Sequence, residues 1–356
     1  MSVRYIGSKA RVAQAIVELA GEPAGGRFID AFCGTGSVAA AAADQGWAVT
    51  LNDFMPSAIA MATGAIAGTY NAPFTKLGGY ERACHLLNEV AGEAGFIYEE
   101  YSPASARRAG IERRYFTEAN AMRLDAMRKR VALWSRRQLV TETEEQLLLA
   151  DLIRAANRVA NISGTYGCFL SSWTDGALRS IAVHPRRLPR RRTIFAAKTG
   201  DVFDVSTKEE DVVYYDPPYT KRQYAAYYHV LETLTVGDRP KVEGVTGLRP
   251  WRDRASDFCY KARALNALRS LILGTQARKI LLSYSNEGHV ERDELVAALT
   301  EAGEVFVHEI RTIGRYRPNA VAASARAAVD EYVIEVRPAT ARNRNRLLDQ
   351  VGTAVA

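Results

Sequence analysis

Asp216-Pro217-Pro218-Tyr219 carries the most specific chemistry in this sequence. Asp216 is an acceptor-only carboxylate, and Pro217 and Pro218 offer carbonyls without N–H donors. Such a loop accepts hydrogen bonds from an amino group while the flat ring of Tyr219 stacks on whatever carries it. A planar base with an exocyclic NH₂ fits both features. Asp-Pro alone reads as an ordinary proline turn. Asp-Pro-Pro-Tyr behind an apolar strand reads as a site once a second motif supplies a cofactor.

That second motif is Asp30-Ala31-Phe32-Cys33-Gly34-Thr35-Gly36. Gly34 and Gly36 make a tight turn with open backbone amides. It joins a short strand at Phe28 and Ile29 to an Ala-rich helix. Strand, glycine turn and helix form a nucleotide-type half-site. No third Gly stands where the dinucleotide fingerprint needs one, and the lack of Gly-Lys-Ser excludes a phosphate loop. Asp53 ends a second strand about twenty residues downstream, where an acid takes ribose hydroxyls. Capping the 56–62 helical segment is its other reading. Asp201 lies at a further strand-end turn, near the cofactor edge if the sheet is doubly wound. The pattern suits an adenosine-like group with no required pyrophosphate.

Several cations accompany these motifs. Ser8 is expected to cap a helix marked by Val12, Ile16, Val17 and Leu19, placing Lys9 in its first turn. A Lys there can serve an anion, although an exposed lysine is the commoner case. Arg190, Arg191 and Arg192 end a dense arginine run at 184–192. Charge runs are usually solvated faces, but this one sits between two halves of a cofactor fold, which favours phosphate contact. Lys221, Arg222, Gln223 and Tyr224 mix cations with an aromatic, a combination suited to splayed bases. His229 has no second His or Cys nearby and is given no metal role.

The elements that must position these groups follow from periodicity and breakers. Val212, Val213, Tyr214 and Tyr215 read as a buried strand stopped by the two prolines. The 73–195 stretch is expected to hold helices at 120–137 and 144–159 and a glycine-broken aromatic segment at 161–173. A cation-rich loop at 248–254 precedes a helix at 262–273. Beyond it come a strand with a polar end at 279–288, a helix at 291–302, and strands at 305–310 and 331–336. The last two read as an antiparallel edge, with Arg311, Arg315, Tyr316 and Arg317 in their connection.

A chain of 356 residues holds one large domain or two ordinary ones. No apolar run reaches bilayer length, and Met1 to Tyr5 lacks a signal-peptide core, so cytoplasmic residence is expected. Cys33, Cys84, Cys168 and Cys259 are far apart and read as reduced thiols. The net charge of +7 fits a polyanionic partner without requiring one.

Four stretches together resemble the S-adenosylmethionine-dependent DNA adenine methyltransferases, in the class containing the Dam and FokI methylases. They are Arg4-Tyr-Ile-Gly-Ser-Lys9, the glycine motif at 30–36, Asp216 to Tyr219 with Arg222-Gln-Tyr224 and 228–232, and Leu282-Ser-Tyr-Ser-Asn-Glu-Gly288. The last two are closest to the FokI-type branch. The resemblance implies an α/β, Rossmann-like methyltransferase fold with a mixed, mostly parallel sheet. Residues 1–72 and 196–338 would form the catalytic domain, 73–195 a mainly helical target-recognition insert, and 339–356 a frayed tail.

It also implies roles. Tyr5, Lys9 and Gly34 would hold the methionine end of S-adenosylmethionine, Asp30 its amino group, Asp53 its ribose and Asp201 its adenine edge. Gly7, Phe32, Cys33, Thr35 and Gly36 complete that set, and Asp216 borders it. Asp216 and the Pro217 carbonyl would accept from the target amino group, Pro218 would stiffen the loop, and Tyr219 would stack on the extruded base. Arg4 stands where Lys is common, and the segment starting at Arg315 lacks a usual Ser. Double-stranded DNA is the implied partner, with or without a cognate restriction endonuclease. Cytosine or RNA adenine as the target, a non-catalytic binding module, and a dinucleotide dehydrogenase are the competing readings.

Overall fold

The computed structural model describes residues 7–310 and 331–339. Arg4, Tyr5, Arg311, Arg315, Tyr316, Arg317 and the tail beyond 339 lie outside the described residues. The first half-fold runs α1 (Ala13–Ala20), β1 (Arg27–Asp30), α2 (Ser37–Asp44), β2 (Ala48–Asp53) and α3 (Pro56–Ile66). A helical insertion follows: α4 (Tyr80–Asn88), α5 (Phe96–Tyr101), α6 (Ala106–Ala109), α7 (Glu118–Arg136), α8 (Glu142–Val159) and α9 (Asp175–Leu178). The chain then returns as β3 (Phe195–Thr199), β4 (Val212–Tyr215), α10 (Tyr224–Tyr227), α11 (His229–Val236), α12 (Lys261–Gly274), β5 (Lys279–Ser285), α13 (Arg292–Leu299), β6 (Gly303–Ile310) and β7 (Glu331–Pro338).

The strands form a seven-stranded sheet in the order β3-β2-β1-β4-β5-β7-β6. The first five are mutually parallel, and β7 runs antiparallel to both β5 and β6. The expected terminal hairpin is present, but β7 inserts between β5 and β6 and so is an inner strand. Strand order reverses between β1 and β4, and that switch point opens a crevice at their carboxyl ends. This is a Rossmann-like methyltransferase fold with an inserted helical segment.

The apolar strands are explained by burial on both faces. Phe28, Val212, Tyr214 and Leu281 pack under α1 and α2, while Ile29, Val213, Tyr215 and Leu282 pack against the α12 side. The tyrosine tips are satisfied: the Tyr214 hydroxyl lies 2.8 Å from Ser283 Oγ and the Tyr215 hydroxyl 2.7 Å from Thr275 Oγ1. A third core belongs to the helical layer. Leu147, Leu148 and Leu152 of α8 join Met61 of α3 and Leu231 and Leu234 of α11 there. A capping box starts α8: Thr141 Oγ1 accepts from the Glu144 N–H and Glu144 Oε2 from the Thr141 N–H. The first helix begins later than its spacing suggests. Val12 is at its N-cap and no side chain caps it, so Ser8 is no cap and Lys9 precedes the helix.

Candidate active site

The glycine turn after β1 is held by backbone bonds from Cys33 N–H to Asn52 O and from Gly36 N–H to Cys33 O, at 3.0 and 2.7 Å. Gly34 and Gly36 have φ of 49° and 76°, where L side chains are strained. Gly36 also lies where α2 and α3 nearly touch: a Cβ there would come within 2.5 Å of Ala62 Cα. Asp53 braces the turn. Its Oδ2 accepts from the Gly34 N–H and its Oδ1 from the Met55 N–H, both at 3.0 Å. It precedes α3 without capping it, because Met55 is the N-cap residue.

These groups border a cavity of about 270 Å³ at the carboxyl ends of the strands. Of the residues expected to hold a cofactor, Gly7, Lys9, Asp30, Phe32, Cys33, Gly34, Thr35, Asp53, Asp201 and Asp216 line it. Gly36 shapes the turn from behind, and Tyr5 lies outside the described residues. Three aromatics that the sequence did not single out, Phe54, Phe203 and Phe258, also face the cavity. Phe203 and Phe258 stack at 6.2 Å.

The cavity is crowded with carboxylates. Asp30 is buried, with Oδ2 accepting from the Ala39 N–H at 3.2 Å and Oδ1 without a partner among the described residues. Burial, reinforced by Asp216, pushes its carboxyl up to about 8. Burial likewise pushes Asp53 to about 6. An unsatisfied buried carboxylate oxygen calls for a cation. The ammonium of an amino acid moiety fits that place, and the Asp53 end and the aromatics suit a nucleoside.

Lys9 is the sharpest departure from expectation. It is buried, with Nζ 3.2 Å from Asp216 Oδ1 and 3.6 Å from Glu331 Oε2. Nζ also stands 5.7 Å from the centroid of the Tyr219 ring. Burial alone would lower its ammonium, but Asp216, Tyr219 and Glu331 hold it above its ordinary value. For Asp216, burial raises the carboxyl to about 6 while the Lys9 contact pulls it back.

Two of the four residues at 221–224 face inward. Gln223 is buried, its Oε1 accepting from the Ser256 N–H at 2.9 Å and its Nε2 donating to Ser256 O at 3.3 Å. Tyr224 lines the cavity and packs on the 7–8 turn, where a Cβ on Gly7 would stand 2.9 Å from its hydroxyl. Lys221 and Arg222 are exposed beside the loop. Arg190, Arg191 and Arg192 are not brought to this end. Arg191 pairs with Asp44 at the far end of α2, and the run enters β3 at its amino end. A five-residue strand separates it from the crevice by about 16 Å. For a nucleic acid bound at this crevice, alanine at all three arginines is therefore expected to leave the salt dependence of binding unchanged. Alanine at Lys221 and Arg222 should lower its slope by about 0.9 for each phosphate these side chains neutralise, read by fluorescence anisotropy across a salt series. A flatter slope for the arginine triple variant would restore that run as a DNA-binding element.

His229 is in the helical core, where Nε2 donates to Tyr166 O at 2.9 Å. Among the described residues, no helix is long and apolar enough to cross a membrane.

The sheet order and the inserted helices are those of a Rossmann-like methyltransferase fold, and comparison narrows the class. Residues 5–298 match the family model for D12 class N6 adenine-specific DNA methyltransferases, and the chain belongs to that family. It is 35% identical to the type II methyltransferase M.FokI of Planomicrobium okeanokoites over 312 residues, covering 85% of this chain and 47% of that protein. It is 32% identical to modification methylase StsI of Streptococcus sanguinis over 320 residues, 87% of this chain and 48% of that one. The type II methyltransferase M.NlaIII of Neisseria lactamica is 29% identical over 294 residues, 80% of this chain and 84% of that protein. The chain thus spans about half the length of the first two relatives.

Proposed function

We propose that the protein is a site-specific DNA adenine-N6 methyltransferase that uses S-adenosylmethionine and acts on an adenine turned out of the duplex. The observation that carries this reading is the meeting at the switch-point cavity of Asp216, paired with Lys9, and Asp30, whose Oδ1 has no partner among the described residues. Asp30 would take the cofactor's amino group, Asp53 its ribose, and Asp201 with the neighbouring aromatics its adenine. Bound there, the cofactor would supply a methyl group on a sulfonium, an electrophile that needs no metal.

The chain's own contribution is to make a poor nucleophile competent. The N6 lone pair of adenine is delocalised into the ring. Asp216 and the Pro217 carbonyl would accept its two hydrogens and favour a pyramidal nitrogen with a localised pair. Preorganised acceptors of this kind act without reorganisation cost, and positioning supplies more of the rate. Lys9 favours the charged form of half-buried Asp216. The base must leave the duplex to reach this loop. The 73–195 insert would read the target, with Lys221 and Arg222 at the loop's edge. Work on DNA sets the protein in the cytoplasm, as a solitary methylase or beside a restriction enzyme.

Methylation-aware sequencing of DNA from cells expressing the protein tests this reading. N6-methyladenine at one sequence is the expected result. N4-methylcytosine, or unmodified DNA with methylated RNA, would replace it with the corresponding alternative.

Tyr219 should act through its ring. Tyr219→Phe is expected to keep most activity. Tyr219→Ala should lose roughly 1–3 kcal/mol of base stacking, a fall of roughly 5- to 150-fold in kcat/KM. If Phe is as inactive as Ala in tritiated methyl transfer, the hydroxyl takes part and the stacking role is wrong.

A further inference from the structure

We propose that His289 is a positioning residue that ties the base-stacking residue Tyr219 to the wall of the cofactor cavity. The inference rests on the roles given above to Tyr219 and to the cavity. The two ends of this residue reach different sites. Its backbone N–H donates to Tyr219 O at 3.0 Å, and its Nε2–H donates to Cys259 O at 3.0 Å. One residue therefore touches both the loop that faces the base and the strap at 254–259.

The strap is part of the cofactor site, because Arg254, Ser256 and Phe258 line the cavity. It is fastened along its length. Arg254 pairs with buried Glu232 at 2.6 Å, Gln223 holds Ser256 by two bonds, and the Cys259 thiol donates to Arg222 O at 3.4 Å. These contacts lead to the catalytic loop and the helix after it. His289 adds a brace from the β5 side.

That brace is itself rigid. The Tyr219 ring packs on Tyr284 at 5.5 Å, and the Tyr284 hydroxyl accepts from the Val290 N–H at 3.2 Å. Gly288 lies flat on the Tyr284 ring, where a Cβ would stand 2.3 Å from it. This close packing on Tyr284 sets the course of the turn that carries the His289 imidazole to Cys259 O. A displacement of the strap by bound cofactor would reach the residue that carries the stacking ring through Cys259 O and His289.

The test uses the full chain, the target sequence found by sequencing, and 2-aminopurine in place of the target adenine. S-adenosylhomocysteine serves as the cofactor probe. In the wild type, the probe should change the fluorescence of the bound target base. His289→Ala should lose that probe-dependent change and lower kcat by about 2- to 12-fold, the size of one hydrogen bond. Its affinity for the probe, by calorimetry, should stay within about 3-fold, also less than one full bond. His289→Gln keeps a donor toward Cys259 O and should restore the change. The inference falls if His289→Ala keeps the probe-dependent signal, or if Gln behaves as Ala does. A wild-type protein that gives no target-base signal would instead overturn the base-flipping reading, and this inference with it.

Discussion

Asp216→Ala is expected to reduce methyl transfer by at least about 10²- to 10³-fold, the usual loss when one preorganised polar group at a reacting centre is removed. Cofactor affinity should stay within a few-fold, because Asp30, Asp53 and the Gly34 turn are untouched. The variant leaves Pro217 as one acceptor for two N6 hydrogens, so the lone pair remains in the ring. It also leaves buried Lys9 to rely on Glu331, at 3.6 Å, for its counter-charge, and a thermal melt must accompany the assay. Asp216→Asn keeps the volume and gives a cleaner contrast, since it removes the charge and turns one acceptor into a donor. Tritiated methyl transfer and equilibrium dialysis of the cofactor measure the two quantities. A parallel fall in cofactor binding would mean that Asp216 serves the cofactor first, against the role assigned to it.

What the sequence disclosed was mostly local. The β1 turn, the β2 end at Asp53 and the β4 end at Asp216 are each encoded within a few residues, by glycines, prolines and apolar runs. The parallel sheet follows from helices alternating with such strands. The α8 start is legible within two residues, and the capping box at Thr141 accounts for those two.

Pairings between distant residues were not legible. Lys9 looked like a helix residue because Ser8 resembles a cap. Its partners are Asp216, just past the end of β4, and Glu331, at the start of β7, both hundreds of residues along the chain. Gln223 sits in a run of polar and basic residues, and only the fold shows that Ser256 covers it. Arg191 belongs to a charge run by sequence, yet its partner Asp44 is fixed by where α2 ends. The motif at 282–288 could be matched to a family without any role. Its place beside the catalytic-loop candidate emerges from the ring of Tyr284 against Tyr219.

The ion pair at Lys9 leads to the second large effect. In the role proposed for it, Asp216 must be anionic to accept from the target amino group, and its carboxyl is already raised to about 6 by burial against the pull of Lys9. Activity should therefore be present above that value and fall as pH drops through it. Lys9→Met removes the cation and leaves Glu331, which disfavours the Asp216 anion, in place. An opposite charge at this distance is worth roughly 1–3 units, so the acidic limb of kcat/KM should move upward by about that much. At neutral pH a shift near the middle of this range would leave about a tenth of the molecules with Asp216 ionised, on the one-unit-per-tenfold rule. Raising the pH should restore the activity. Lys9→Arg keeps the charge and should leave the limb near its original place. A pH–rate profile decides the matter. If Lys9→Met loses the same factor at every pH while its cofactor affinity collapses, Lys9 holds the methionine end of the cofactor, as the family resemblance implies, and does not act through Asp216.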